Sequence, residues 1–238
     1  MRLFRLLLIF CLVTAWTLPG YGHDLWTMAG KENHAVLRGR IPDDLHAYDT
    51  GSITRVLAFD RDGSPLPLVR EKRKHRVVFQ TPAPPALTAV RADWGHRVID
   101  DQNKKHFVSK KQAIENDIQV KHAFFSIQFS KTLFQFNDAA TRPVGMVFEA
   151  VPLKDPVLLA PDSELPVRFF FEGAPLCGVA LQYPKTQNPI ITDDTGTVLV
   201  PIPGNSGWHK ILMVHDVPAS DNPDIDYIRY FAFLVFER

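Results

Sequence analysis

The sequence predicts an all-β protein made of two antiparallel β-sandwich-like domains. Three observations lead there. Apolar and polar residues alternate at period two, as where Ala123, Phe125, Ile127 and Phe129 fall on one face. Turn clusters rich in Gly, Pro, Asn and Asp recur at even spacing, among them Asp60-Arg61-Asp62-Gly63 and Gly204-Asn205-Ser206-Gly207. Helical periodicity is poor throughout; the stretch 109–116 allows one or two turns.

The chain opens with a segment expected to leave the folded protein. Arg2 and Arg5 precede the apolar run from Leu6 to Val13, which is too short to span a bilayer, and Pro19 ends it. Gly20 and Gly22 supply the small residues a signal peptidase needs. Residues 1–22 therefore read as a secretory signal, the location as periplasmic, and the mature chain as having no transmembrane segment. Cleavage after Gly22 would make His23 the first residue.

Residues 23–155 are expected to form the N-terminal β domain. Its strands are placed at 34–39, 53–59, 76–80, 87–92 and along the aromatic stretch 120–136. Between 53 and 59 the alternation puts Ile53, Arg55, Leu57 and Phe59 on one side. Pro152, Pro156 and Pro161 then mark a boundary near 155–163. Residues 163–238 are expected to form the C-terminal β-sandwich domain, with strands at 165–171, 177–183, 197–202, 208–215 and 230–236. The last of these is apolar on both faces, which predicts an interior strand.

Composition narrows the function. The chain has 238 residues, a net charge of +1 and 45% hydrophobic residues, including 17 Phe, enough for a sizeable core. Near-neutrality argues against nucleic acid and anionic membrane surfaces. Cys11 leaves with the signal, so Cys177 has no partner for an internal disulfide. The basic run Arg70–Arg76 reads as a solvated hairpin end. Asp60-x-Asp62-Gly63 lacks the later ligands of a calcium loop, and Asp194-Thr195-Gly196 has no second copy to make a protease dyad. Both read as turns. With no P-loop, His-Glu-x-x-His or Cys-x-x-Cys, hydrolase and nucleotide functions are disfavoured and no catalysis is expected.

All nine histidines lie beyond residue 22. His23 is the leading metal-ligand candidate, because a free α-amine and the imidazole Nδ1 of one residue close a chelate ring that an internal histidine cannot offer. His215 ends a strand before an acidic loop, with Asp216 or Asp226 available to orient its ring. His209 shares its strand face, and His96 and His122 follow as weaker candidates. His34, His46, His75 and His106 read as ordinary loop or strand-end residues.

The order of several motifs resembles a known family. They are His23-Asp24-Leu25-Trp26, Ser109-Lys110-Lys111, Ser130-Lys131-Thr132-Leu133, Gly173 to Val179, Thr192-Asp193-x-x-Gly196, Gly207-Trp208-His209-x-Ile211 and His215, with an aromatic strand at the end. This pattern is similar to the DUF4198 family. The resemblance implies a C-terminal module like transthyretin or carboxypeptidase-regulatory domains. It also implies a periplasmic protein that binds nickel or cobalt and serves a membrane metal transporter; copper or zinc would suit the same nitrogen donors. Two other functions stay open: a copper enzyme using a histidine brace for oxidative chemistry, and a metal-free module that binds protein or glycan.

Overall fold

The computed structural model describes residues 23–238, so the signal expected over 1–22 lies outside the described residues. The chain is all-β, as the sequence predicts. In order, the first strands are β1 (Asp24–Met28), β2 (His34–Arg40), β3 (Asp44–Leu45), β4 (Ile53–Phe59), β5 (Val69–Lys72), β6 (Val77–Gln80), β7 (Leu87–Asp100) and β8 (Lys105–His106). A short helix, α1 (Lys110–Glu115), precedes β9 (Val120–Leu133), β10 (Phe148–Pro152), β11 (Glu164–Phe171) and β12 (Ala174–Pro175). The chain ends with β13 (Leu181–Tyr183), β14 (Thr197–Pro201), β15 (Trp208–Pro218) and β16 (Tyr227–Glu237).

These strands make three sheets. The central one runs β13-β15-β16-β9-β7-β4, with β8 added to β7. A second sheet, β1-β2-β6-β5 with β3 on β2, packs on one of its faces, and a third, built on β10, β11, β12 and β14, packs on the other. All pairings are antiparallel except that of β16 with β9, which is parallel.

Strand alternation explains why one sheet serves two cores. Successive side chains of a strand point to opposite faces. On β16, Ala232, Leu234 and Phe236 join Val167, Phe169 and Val200 in one core, while Phe231, Phe233 and Val235 join Leu25, Trp26 and Phe79 in the other. β15 divides the same way, with Ile211 and Met213 on one side and Leu212 on the other. The doubly apolar run at 230–236 is therefore an interior strand, as expected.

Other elements differ from the sequence reading in instructive ways. β7 does not stop at residue 92; a register shift between Asp93 and Gly95, where Gly95 takes φ +78°, carries it on to Asp100. In β4 a shift between Ile53 and Arg55 breaks the simple alternation, so Ile53 is buried with Val56 and Ala58 while Leu57 and Phe59 turn to the opposite core. The short helix at 109–116 is real: Ser109 caps α1, and Gln112 reciprocates in a capping box. The Asp60 and Asp194 motifs are turns, with Asp60 Oδ1 accepting from the N–H groups of Asp62 and Ser64 at 2.9 and 2.8 Å.

The proline-rich stretch near 155–163 lies between β10 and β11, which pair with each other from Phe148↔Phe171 to Pro152↔Val167. Strands from both sides of it also share the central sheet, where β16 lies along β9. No helix among the described residues is long and apolar enough to cross a membrane.

One buried ion pair holds the third sheet's approach. Lys131 Nζ lies 3.1 Å from Glu149 Oε2, both side chains being nearly inaccessible. Lys131 also donates to the Arg142 carbonyl, and Glu149 accepts from the N–H groups of Val144 and Met146. Burial pulls the Lys131 ammonium below its usual range, while Glu149 opposes that shift. Removing one partner strands the other charge. Glu149→Ala should therefore lower unfolding free energy by about 3–5 kcal/mol in urea titrations; a loss below about 1 kcal/mol would show the pair to be dispensable.

Candidate functional site

His23 directly precedes β1, and that strand is anchored firmly. The Asp24 carboxylate is buried and accepts from Lys210 Nζ at 2.6 and 2.7 Å and from the Ile41 N–H at 3.2 Å. This ties β1 to β15 and to the loop after β2. The His23 carbonyl accepts from Gln128 Nε2 at 3.2 Å, which fixes the residue against β9.

A second histidine is brought to the same place by a tight reversal. After β2 the chain turns at Ile41-Pro42 and returns as β3, with Gly39 opposite Leu45 and Arg40 opposite Asp44. The His46 N–H then donates to the Arg38 carbonyl at 2.8 Å. Gly39 permits this reversal: it has φ +154°, and a Cβ there would lie 1.9 Å from the Asp44 carbonyl oxygen. The His46 ring ends 4.2 Å from the His23 ring, centroid to centroid, with the planes inclined by 47°. His46 Nε2 lies 3.2 Å from Asp44 Oδ1. A proton shared there leaves the Nδ1 lone pair of His46 for other partners.

The electrostatics keep His23 neutral. Burial, and then the positive charges of Arg38, His46, Lys105 and Arg40, push its pKa down to about 4. At neutral pH its imidazole therefore carries a lone pair suited to a metal. The charges of Arg38, Lys105 and Arg40 oppose the approach of a dication.

The other histidines proposed from sequence lie elsewhere. His215 is on the face of the central sheet away from His23. It continues the row of Ile211 and Met213, whereas His23 sits against the face that carries Gln128 and Lys210. Its ring meets Phe171 and Phe148 edge-on, at 4.8 and 6.2 Å, and burial lowers its pKa. The sheet thus separates His23 from His215. His209 is buried six residues along β15 from His215, about 20 Å at strand rise. It stacks on Phe236 and its Nε2 lies 3.0 Å from the Asn205 carbonyl oxygen. The His96 ring stands edge-on to Phe125 at 5.1 Å, in the row with Ile127 and Phe129. His122 shares a face with Gln128 but lies six residues away on β9, against Phe124 and Tyr227. Among the described residues, no three His, Cys, Asp or Glu side chains cluster at metal-binding spacing.

His46, passed over as a loop residue, is the histidine that joins His23. The signal for it was the reversal chemistry, Gly39 followed by Pro42-Asp43-Asp44, which folds β2 back over its own start.

A family model described as a domain of unknown function, DUF4198, matches residues 22–216. The chain belongs to the DUF4198 family. The match covers the His23–His46 pair and most of β15 but ends before β16. No curated protein and no solved structure matches this DUF4198 chain.

Two outcomes test the site. In NMR titration the His23 ring should change charge at about pH 4, and Arg38→Gln should raise that midpoint. Because the folded pKa lies below the usual 6.5, the stability His23 confers is complete above pH 6.5 and is lost as pH falls through about 4. An unshifted midpoint would contradict the geometry. Gly39→Ala should cost about 2 kcal/mol or more of stability and separate the two rings; an unchanged melting temperature would show that the reversal tolerates a side chain.

Proposed function

We propose that this protein is exported to the periplasm, is cut after Gly22, and captures a divalent transition metal for delivery to a membrane transporter. The observation that supports this most is the contact between the His23 and His46 rings. Cleavage would add the α-amine of His23, so that two adjacent residues supply three nitrogen donors. The amine and His23 Nδ1 close a chelate ring, His46 contributes a second imidazole, and Asp44 orients it. Nickel or cobalt is favoured by the resemblance stated above; affinity order alone would favour copper. The metal is cargo in this reading and takes part in no reaction.

A second reading shares these ligands. A copper-dependent oxidative enzyme built on a histidine brace needs a second imidazole beside the N-terminal one, and the contact of the His46 ring with that of His23 supports this reading. Consumption of dioxygen or peroxide with formation of an oxidised product, in copper-loaded protein, would favour that enzyme over a carrier. A metal-free binding module remains the third reading, and unchanged melting temperature with Ni²⁺, Co²⁺ and Cu²⁺ would favour it.

The decisive comparison is metal titration of protein beginning at His23 against protein with one extra N-terminal residue. The extension should weaken Ni²⁺ binding at least about tenfold, and His46→Ala should do the same, while His215→Ala should not. Equal affinity in all four proteins would remove the proposal. Added salt should strengthen Ni²⁺ binding, because it screens the repulsion from Arg38, Arg40 and Lys105.

A further inference from the structure

A cleft of about 400 Å3 opens between β2, β7 and the segment leading into α1. Arg38 and Arg97 both line it, with Tyr48, Trp94 and Phe107. Each guanidinium is braced by an aromatic face: Arg38 lies 4.8 Å from the centre of Trp94, and Arg97 lies 4.5 Å from the centre of Phe107. Stacking of this kind occupies the flat of the guanidinium and leaves its N–H edge available. Arg97 spends one donor on the His96 carbonyl, at 2.6 Å.

Neither arginine has an ion-pair partner among the described residues. Lys105, whose charge acts on both, has none either. Arg229, the next cation, is already engaged by Asp216 at 2.7 and 2.8 Å. The one carboxylate in the cleft, Asp49, caps the turn at Thr50–Ser52 by accepting from the Gly51 N–H. Burial and the charge of Arg38 push Arg97 down to about 10. Two partly buried, fork-shaped cations beside a third thus face a concavity with no counter-charge assigned to them. Aromatic faces offset part of that repulsion. An oxyanion accepting from both forks would offset the rest through charge-assisted hydrogen bonds.

We propose that the cleft between Arg38 and Arg97 binds a small molecule through its oxyanion groups, either a polycarboxylate or a phosphate compound. Its volume suits a ligand of that size. The inference does not rest on the metal reading, although the two sites adjoin. Arg38 acts on both His23 and Arg97, so an anion in the cleft would ease the repulsion a metal meets at His23.

Calorimetric titration of metal-free protein at low salt tests it, with citrate and inorganic phosphate as probes. One-to-one binding is expected for at least one of them, and the probe that binds identifies the source of the oxyanion. Arg38→Gln and Arg97→Gln should each weaken it about tenfold or more. Arg38→Lys, which keeps charge but loses the fork, should fall between. Arg55→Gln, on the exposed side of β4, should bind as the parent does. In the unmodified protein, NMR shifts on adding the bound probe should centre on the Trp94 indole and Phe107 ring, a readout that does not require the variants to fold. His46→Ala should keep anion binding, so failure of the metal proposal leaves this one standing and the reverse also holds. Absence of saturable binding by both probes, shifts confined to other regions, or unaltered binding in both Gln variants would overturn it.

Discussion

The constraint on which the rest depends is that the central sheet is buried on both faces. A strand places alternate side chains on opposite sides. When both sides are covered, residues one apart in sequence belong to different cores. On β16 this splits Phe233 from Leu234, and on β15 it splits Leu212 from Met213. The apolar residues of these strands therefore fix their register twice over, since a slip of one position would exchange both cores together. The same rule divides the candidate chemistry, leaving His23 on one side and His215 on the other.

That division gives the N-terminal edge its character. β1 is seated by the Asp24–Lys210 pair and by Trp26 and Leu25 in the second core, so His23 directly precedes a well-anchored strand. The loop after β2 is then folded back by Gly39 to deliver His46. Around this pair gather Arg38, Arg40 and Lys105, which suppress protonation of His23 yet oppose a dication. A metal proposed for this site would meet less repulsion with an anion close by, and the cleft bearing Arg38 and Arg97 adjoins it.

Much of the fold was legible in the sequence. Period-two alternation located β9, turn-bounded apolar runs located β2, β4, β11, β14 and β15, and the two-faced apolar run revealed β16 as the interior strand. Bulges were hidden, because an extra residue at Asp93–Gly95 or after Ile53 leaves composition unchanged while reversing which side chains are buried. The sharing of one sheet by both halves of the chain was hidden as well, since β16 pairs in parallel with a strand roughly a hundred residues earlier. For the candidate site, His23 was singled out by its place in the chain. His46 was not, because its importance comes from a reversal that crosses β2, and His215 drew attention through a strand-end position whose facing the sequence does not reveal.

The central claim is that the proposed metal site lies on the His23–His46 side of the sheet. Paramagnetic broadening reads this directly: substoichiometric Cu²⁺ is added to protein beginning at His23 while the histidine ring signals are followed by NMR. The His23 and His46 signals should broaden first, with those of His215 and His209 unaffected. Broadening that begins at His215, or that spreads evenly over all the histidines, would contradict it.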